Sequence, residues 1–447
     1  MAEPLTQTTL NPLAQKLRLR LDEDQLTNCM RCGFCLPACP TFRETGFEAE
    51  SPRGRIALMK AAVDGILAPD QAFEEQMHNC LGCRACEPVC PADVKYGQLI
   101  EQARDAIEDH TVNHRWWVKL SRRAAFNFTF PHQNRMQWIG RSLRFYQKSG
   151  LRKVVRGAGI MKLFPKYMRE MEKILPDASS RGVVEQIGSR HAAKGEKIAT
   201  VGLFRGCIMD VLFTDTNIHT VELLTEAGFE VVIPETQNCC GALHAHSGEA
   251  EGARSLARRN IRVFKEAGVD YIVSNAGGCG AILTEYDHLL HEDAEWEQDA
   301  KWFAKRVIDV SDLLVSHGRV PSFAESSALP LRITYQDSCH LRNVMRSSNA
   351  PRQLMSQVNG VEFVEMKEAD RCCGSAGIYN LTRPEMAGQL LEHKMENANA
   401  TDTHYLLTSN PGCLLQMKHG IEQHGQSGQM QAVHVVDFLY ERMKKQK

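Results

Sequence analysis

Two short cysteine runs near the N-terminus carry the clearest chemistry of this 447-residue chain. Each run has the spacing C-x2-C-x2-C-x3-C and is followed directly by proline, a pattern that binds a [4Fe–4S] cluster through cysteine thiolates. Three thiolates at this close spacing can surround one side of an iron–sulfur cube, and the fourth thiolate of the run then points away from that cube. The runs consist of Cys29, Cys32, Cys35 and Cys39, and of Cys80, Cys83, Cys86 and Cys90.

The fourth cysteine of each run is expected to serve the other run. In proteins with two clusters, that residue binds the cluster whose remaining ligands come from the second run. Zinc is the alternative metal, but zinc sites usually separate two C-x2-C pairs by a longer loop, and two intact runs favour iron. The sequence therefore predicts one cluster on Cys29, Cys32, Cys35 and Cys90, and another on Cys80, Cys83, Cys86 and Cys39.

Helical segments accompany these runs. Residues 51–67 (SPRGRIALMKAAVDGIL) open with Ser-Pro and continue with good helix formers, and residues 96–110 (YGQLIEQARDAIEDH) follow the second run. A helix between the runs favours a helical ferredoxin-like domain over residues 1–110, which passes single electrons between two clusters. Within it, Arg53 and Arg55 either screen the anionic clusters or lie on a solvated helix end.

The other eight cysteines form two copies of one pattern in the C-terminal half. Each copy has a single cysteine, an adjacent pair followed by glycine, and a last cysteine, and the copies lie 132 to 134 positions apart. The segments YIVSNAGGC and YLLTSNPGC repeat in the same register. We therefore predict a duplicated domain, with repeat 1 at residues 196–325 and repeat 2 at residues 326–447. The cysteines are Cys207, Cys239, Cys240 and Cys279 in repeat 1, and Cys339, Cys372, Cys373 and Cys413 in repeat 2.

In each repeat, short apolar runs alternate with helical stretches, as in residues 198–204 (IATVGLF) and 219–228 (HTVELLTEAG). This alternation predicts parallel βα units. Most of the cysteines follow a predicted strand, and open α/β sheets bind ligands at that edge. Adjacent cysteines are poor disulfide partners, because a bridge between neighbours strains the peptide that joins them. We therefore expect a metal-binding crevice in each repeat rather than inert thiols, with Gly241 or Gly374 allowing close backbone approach.

The composition limits the location and the partners. The formal net charge is −1, so the chain has no general attraction to nucleic acid. The N-terminal residues lack the apolar stretch of a signal peptide, and no run of about 18 uncharged apolar residues predicts a membrane-spanning helix. We therefore expect a cytoplasmic protein, in which reducing conditions favour metal-bound cysteines over disulfides.

A basic and aromatic segment separates the two halves. Residues 111–175 are rich in Arg, Lys and aromatic side chains, including Trp116, Trp117 and Trp138, and contain few acids. Such a mixture suits a helix on the anionic surface of a membrane. A surface for a partner subunit and a plain linker are the alternatives. We assign residues 111–195 to this linker region.

These motifs resemble those of known families. The C…CCG…C pattern is similar to the cysteine-rich CCG domain of heterodisulfide reductase subunits and of several bacterial flavin-dehydrogenase partners. With NCMRCGFCLPACPTF, SPRGRIALMKA and CLGCRACEPVCPADVKYGQL in front of it, the chain resembles the glycolate oxidase iron–sulfur subunits. The resemblance implies a complex with flavoprotein subunits that oxidise glycolate to glyoxylate. It also implies that electrons cross the clusters to a quinone-type acceptor, with the complex peripheral on the inner face of the cell membrane.

The flavin is expected on the partner subunits only. The chain has no G-x-G-x-x-G motif after a strand and no P-loop, so we predict no flavin site and no catalytic residue in it. Three related functions remain as alternatives. They are the equivalent subunit of an anaerobic glycerol-3-phosphate dehydrogenase, that of a lactate dehydrogenase, and a heterodisulfide-reductase-like enzyme.

One position departs from the heterodisulfide reductase pattern. There, each repeat ends in C-x-x-C and supplies five cysteines for a noncubane cluster, whereas here the earlier position holds Ala276 or Asn410. Four cysteines per repeat suit a further iron–sulfur cluster or a zinc ion, and the ligand type alone does not choose between them. His244 and His246 are candidates for a metal ligand and a proton carrier, against an ordinary structural role. Repeat 2 has no histidine at the matching positions.

Overall fold

The computed structural model of the chain describes residues 11–111, 116–164, 166–323, 330–425 and 430–443. Helices dominate, and the strands form two separate sheets. The predicted boundary between the repeats, at residues 325 and 326, lies outside the described residues.

Helices and loops build the N-terminal region, and residues 11–111 contain no strand. Helix α5 lies between the cysteine runs, where the sequence predicts it. It begins after Ser51, because the Ser51 hydroxyl accepts a hydrogen bond from the Gly54 N–H at 3.0 Å and caps the first turn. Leu17 and Met59 belong to the core of this region. The helices are α1 (Pro12–Arg20), α2 (Glu23–Asn28), α3 (Cys35–Ala38), α4 (Pro40–Thr45), α5 (Pro52–Val63), α6 (Gln71–His78) and α7 (Tyr96–His110).

A chain of short helices follows and carries exposed aromatic side chains. Trp116 is 77% exposed, and Trp138 and Phe145 are about as accessible, at 66% and 67%. A π-helical turn at Arg123–Thr129 joins the first two helices. The helices are α8 (Trp116–Arg122), α9 (Gln133–Lys148), α10 (Leu151–Gly157), α11 (Lys166–Ile174) and α12 (Val183–Ile187).

Repeat 1 contains a five-stranded sheet in the order β1-β3-β2-β4-β5. The strands are β1 (Arg190–His191), β2 (Ala199–Leu203), β3 (Phe229–Val232), β4 (Tyr271–Ser274) and β5 (Val307–Asp309). All pairs are parallel except β1 with β3, and β1 lies before residue 196, inside the segment predicted as linker. The helices are α13 (Met209–Leu212), α14 (Thr214–Glu226), α15 (Ala242–His246), α16 (Ala250–Ala267), α17 (Gly277–Thr284), α18 (Tyr286–Leu289), α19 (Glu297–Ala304) and α20 (Val310–Ser316).

Repeat 2 contains a four-stranded, wholly parallel sheet in the order β7-β6-β8-β9. Its centre therefore has the same topology as the sheet of repeat 1. The strands are β6 (Leu331–Tyr335), β7 (Val361–Phe363), β8 (Tyr405–Thr408) and β9 (Gln431–His434). The helices are α21 (Cys339–Asn343), α22 (Asn349–Ser356), α23 (Tyr379–Thr382), α24 (Pro384–Asn399), α25 (Pro411–His424) and α26 (Val435–Arg442).

The two repeats share one hydrophobic core. Val201 and Leu203 of β2 belong to the same buried cluster as Ile333 of β6, Leu407 of β8 and Phe438 of α26. Because one core joins both sheets, the repeats lie in a defined relative position. The loops that carry the cysteines are positioned by this shared core.

Candidate metal centres

In both N-terminal runs the backbone adopts positive φ two and four residues after the first cysteine. Arg31 and Gly33 in the first run have φ of 54° and 92°, and Gly82 and Arg84 in the second run have φ of 65° and 59°. Turns of this left-handed kind make successive backbone N–H groups converge on an anion. The Gly82 N–H donates to the Cys80 Sγ at 3.3 Å, as expected for a loop that surrounds thiolates.

The predicted second ligand set is buried as one interacting group. Burial is the main cause that raises the pKa of the Cys83 and Cys86 thiols well above the usual value, and the Cys80 and Cys39 thiols raise it further. Burial also raises the pKa of Cys39. Buried thiolates therefore need nearby positive charge, which bound iron would supply.

The predicted first ligand set lies nearer the surface. Its members line one small cavity together with Ile56, Tyr96 and Cys86 of the second set. Cys32 is exposed, and the other members are only partly buried. The two sets thus have the same spacing in sequence but different access to solvent. The members are Cys29, Cys32, Cys35 and Cys90.

Arg55 lies beside the second set and is completely buried. Its Nη2 donates to the Glu50 carboxylate at 2.6 Å. Burial lowers the pKa of Arg55, but the negative neighbours Tyr96, Cys80 and Cys39 outweigh it, so the pKa lies above its ordinary value. A solvated helix end is therefore wrong for Arg55, which can screen an anionic cluster.

Arg53 and Tyr96 complete the surroundings of the N-terminal cysteines. Arg53 lies nearer the surface, where its Nη1 donates to the Arg31 carbonyl at 3.0 Å. The Tyr96 hydroxyl is buried and has no hydrogen-bond partner among the residues that the structure describes. Burial raises its pKa well above the usual value, and the Cys80 and Cys86 thiols add to this. The hydroxyl therefore lies beside the second set, where a cluster sulfur could accept its hydrogen bond, so the site fits an iron–sulfur cluster.

The cysteines of repeat 1 follow the carboxyl ends of β2, β3 and β4. The Sγ atoms of Cys207 and Cys239 are 3.6 Å apart. The hydrogen bond with Cys239 lowers the pKa of Cys240, but the hydrogen bond with Cys279 and burial raise it well above the usual value. The Gly241 N–H donates to the Cys239 Sγ at 3.5 Å. The fold therefore brings all four predicted cysteines of this repeat together.

Repeat 2 repeats this arrangement. A hydrogen bond with Cys372 raises the pKa of Cys339 well above the usual value, and burial adds to it. The hydrogen bond with Cys372 lowers the pKa of Cys373, whereas Cys413 and burial raise it, and the result lies well above normal. Gly374, with φ of 85°, lets the loop approach α24 closely.

Each repeat offers four thiolates to one metal group, and the ligand type suits either a further iron–sulfur cluster or a zinc ion. Four thiolates on one zinc lie about 3.8 Å apart, because each Zn–S bond is about 2.3 Å long. The 3.6 Å between the Cys207 and Cys239 Sγ atoms is close to this spacing. In a [4Fe–4S] cluster each thiolate binds a different iron, so the sulfurs lie farther apart.

Sequence reasoning missed the polar groups behind the cysteines. In repeat 1, the Asn260 Nδ2 donates to the Cys239 carbonyl at 3.0 Å, and the Tyr286 hydroxyl donates to the Cys240 carbonyl at 2.7 Å. In repeat 2, Lys394 lies 134 positions after Asn260 and is buried. A lysine on the otherwise apolar stripe of α24 was a signal for this, because lysine is almost never fully buried without a counter-charge.

The second N-terminal run lies against repeat 2. The Asn343 Nδ2 donates to the Cys83 carbonyl at 2.9 Å. Cys83 shares a hydrophobic cluster with Cys372, and Cys339 packs against that cluster. Cys339 also raises the pKa of Cys83, after burial. The buried N-terminal set and the cysteines of repeat 2 are therefore neighbours.

The two histidines of repeat 1 have other contacts. His244 is buried, its Nε2 hydrogen-bonds the Phe126 carbonyl at 2.9 Å, and burial lowers its pKa. The Nδ1 of His246 pairs with the Glu101 carboxylate at 2.7 Å. These contacts join the linker region and α7 to repeat 1, which favours a structural role for both histidines.

Comparison with known families matches these parts one by one. Residues 25–94 match the 4Fe-4S dicluster domain. Residues 201–284 and 333–418 match the cysteine-rich domain named CCG, so each match contains one complete cysteine set. Residues 117–175 match the linker region of the glycolate oxidase iron–sulfur subunit.

Whole-chain relatives decide the family. A probable glycolate oxidase iron–sulfur subunit of Bacillus subtilis (strain 168) is 48% identical over 98% of this chain and 98% of its own length. This chain belongs to the glycolate oxidase iron–sulfur subunit family. The glycolate oxidase iron–sulfur subunit of Escherichia coli (strain K12) is 27% identical over 91% of this chain and 93% of its own length. Lactate utilization protein A of Oceanobacillus iheyensis is 32% identical over 54% of this chain and 96% of its own length.

Membership in the glycolate oxidase iron–sulfur subunit family confirms the resemblance predicted from the motifs. The family relatives are subunits of an oxidoreductase, and the matched domains make this chain an iron–sulfur protein. In the part of the chain that the structure describes, every helix is too short or too polar to cross a membrane.

Proposed function

We propose that the chain is the iron–sulfur electron-transfer subunit of a complex that oxidises glycolate. Flavoprotein subunits of this complex remove electrons from glycolate and form glyoxylate, and the chain carries those electrons toward a quinone. Its relatives named as glycolate oxidase subunits support this assignment. The main structural support for electron transfer through this chain is the contact of Cys83 with the cysteines of repeat 2.

The N-terminal region holds two [4Fe–4S] clusters in this proposal. Cys90 lines the cavity of the first set, and Cys39 is buried like the other members of the second set, which supports two sets in which the runs exchange their fourth cysteines. Bound clusters accept and pass on single electrons. The buried Arg55 screens the negative charge of the cluster in the second set. Burial of the cysteines in that set limits the access of water. The sets are Cys29, Cys32, Cys35 and Cys90, and Cys39, Cys80, Cys83 and Cys86.

Each repeat binds a further iron–sulfur group through its four cysteines. Burial of the thiols, their mutual hydrogen bonds and the relatives named as iron–sulfur subunits support this. An electron then passes from the surface set to the buried set and on to repeat 2. Because Cys83 lies beside Cys339 and Cys372, the transfer from the buried set to repeat 2 needs no conformational change.

The exposed aromatic side chains of α8 and α9 are the proposed contact with the cytoplasmic face of the membrane. Trp116, Trp138 and Phe145 supply apolar area, and lysines and arginines along the same helices match anionic lipid headgroups. We expect the triple variant Trp116→Ser, Trp138→Ser, Phe145→Ser to lose sedimentation with vesicles containing anionic lipid. Sedimentation as in the wild type would contradict a membrane contact, and loss of the flavoprotein instead would assign the surface to the partner.

The deciding experiment uses the complex isolated without oxygen through a tag on this chain. We expect glycolate to reduce the clusters, as seen by electron paramagnetic resonance. Lactate is the rival donor, because relatives named lactate utilization protein A cover about half of this chain. Reduction by lactate alone would keep the electron-transfer role and replace the substrate. Intact clusters that no donor reduces in the presence of bound flavoprotein would overturn the relay.

A further inference from the structure

We infer that repeat 2 holds its iron–sulfur group at a higher reduction potential than repeat 1, because Lys394 and Asn410 lie beside its thiolates. The inference rests on the proposed function, in which each repeat binds such a group. Reduction adds one electron and breaks no bond. A positive charge and a hydrogen bond to sulfur both stabilise the more negative, reduced form.

The positions that correspond in the two repeats follow from matching contacts. The glycine of the first CCG motif lies against Ala253 of α16, and that of the second lies against Ala387 of α24. These alanines are 134 positions apart, and so are the first residues of β4 and β8. The same offset pairs Asn260 with Lys394 on the helices, and Ala276 with Asn410 after the strands.

Lys394 brings a buried positive charge to repeat 2. Its side chain is 0% exposed, and its Nζ donates to the Glu368 carbonyl at 2.6 Å and to the Ala369 carbonyl at 3.4 Å. Burial lowers its pKa to about 8, and the thiols of Cys373 and Cys372 oppose this. The carboxylates of Asp370 and Asp337 also raise its pKa, after the two thiols. The cysteine site is therefore the first of its counter-charges.

The corresponding position of repeat 1 is neutral. The Asn260 amide donates to the Cys239 carbonyl and accepts from the Asn238 N–H, both at 3.0 Å. The Tyr286 hydroxyl lies 3.1 Å from the same amide nitrogen. These groups satisfy the loop backbone without adding a formal charge.

Asn410 supplies a hydrogen bond that repeat 1 lacks. Its Nδ2 donates to the Cys413 Sγ at 3.5 Å, and its Oδ1 accepts from the Gly278 N–H of repeat 1 at 3.0 Å. The second contact fixes the orientation of the amide, because only the oxygen can accept from an N–H. Ala276, at the matching place, has no polar side-chain atom. The position that departs from the five-cysteine pattern thus joins the two sites.

Electrons collect on repeat 2 in this scheme. The buried N-terminal set lies beside repeat 2, so an electron reaches repeat 2 before repeat 1. A higher potential there makes repeat 2 the group that is reduced first. Lys394 and Asn410 are positioning residues in this scheme, since they act on the electron carrier through charge and a hydrogen bond.

The test is a redox titration of the iron-loaded complex, followed by electron paramagnetic resonance. Cys413→Ser and Cys279→Ser identify the signals of repeat 2 and repeat 1. In Lys394→Asn we expect the equilibrium constant for reduction of the repeat 2 group to fall at least about tenfold, which is about 59 mV for one electron. Lys394→Arg keeps the charge and should restore most of the potential. Asn410→Ala should lower it by a smaller amount.

Lys265→Met on α16 is the matched control, because this lysine is exposed and pairs with Asp299. We expect unchanged potentials in it. Potentials of the repeat 2 group that stay at the wild-type value in Lys394→Asn and in Asn410→Ala, at full iron content, would overturn the inference and leave the proposed function intact. If Lys394→Asn fails to fold, Asn410→Ala decides alone. Iron confined to the N-terminal region in the wild type would instead overturn the iron–sulfur assignment of the repeats.

Discussion

Repeat 1 and repeat 2 have the same central topology, but they bury different polar groups at equivalent places. The last residue of the outer strand is Asp309 in repeat 1 and His434 in repeat 2, at the same place in the repeated segments VIDVSDLL and AVHVVDFL. Both cap the helix that follows. The Asp309 Oδ1 accepts from the Ser311 N–H at 2.8 Å, and the His434 Nδ1 accepts from the Val436 N–H at 3.2 Å.

The duplicated domains keep the same geometry but differ in buried charge. A helix cap needs an acceptor in a fixed place, and either side chain provides one. Burial, however, acts on an acid and on a base in opposite directions. The same contrast separates Asn260 from Lys394 behind the cysteines. The two repeats should therefore respond differently to pH and to substitution.

The largest expected effect is the pH dependence caused by Asp309. Burial raises its pKa to about 7, and its Oδ2 has no hydrogen-bond partner among the described residues. The folded state thus holds a proton that the unfolded state releases near pH 4, so the free energy of unfolding falls by about 1.4 kcal/mol per pH unit between pH 4 and pH 7. Asp309→Asn should remove this loss in urea denaturation and be more stable than the wild type at pH 8.

His434 should show the opposite sign. Burial lowers its pKa, so the fold favours the neutral ring, whose Nε2 bonds the Asn275 carbonyl at 3.0 Å. This stability is present above the ordinary pKa of about 6.5 and is lost as the pH falls below it. His434→Gln should therefore lose less stability in acid than the wild type. Equal pH slopes for the two variants would refute the proposed contrast.

The CCG glycines should differ in their tolerance of alanine. Both have positive φ, which costs a side chain about 1–2 kcal/mol. A Cβ on Gly374 would also lie 2.8 Å from the Ala387 carbonyl oxygen, whereas on Gly241 its nearest contact is 3.4 Å. We expect Gly374→Ala to lower the free energy of unfolding by about 1–3 kcal/mol more than Gly241→Ala. Gly388→Ala, in open space on α24, is the control and should be neutral or stabilising. Similar losses in the two CCG variants would contradict this.

The smallest expected effect comes from the Tyr286 hydroxyl. Tyr286→Phe leaves the Cys240 carbonyl without its 2.7 Å hydrogen bond, which should cost about 1–2 kcal/mol of unfolding free energy. Repeat 2 has Gly420 at the matching position and no such bond. The reduction potential of the repeat 2 group should therefore stay at its wild-type value in this variant. A shift in that potential would show that the polar groups of repeat 1 also act on repeat 2.

Local patterns predicted much of the fold. Strand and helix alternation predicted the parallel order of the central strands, and the Ser-Pro start predicted α5. The pattern did not reveal β1, which has two residues and completes the sheet from within the linker. So short a strand has too little periodicity to be recognised, and its pairing with β3 is decided by chain closure in space.

By itself, the sequence determined the chemistry available to this protein. Cysteine spacing is a local property, so the two runs and the duplicated CCG pattern specify sixteen thiols in four groups, and the motifs indicate the family. Tertiary structure alone decided that one group is buried beside repeat 2 while another stays near solvent, and that Lys394 of α24 is fully buried. The physical reason is that burial and charge at a site depend on packing between distant segments, which spacing along the chain does not encode.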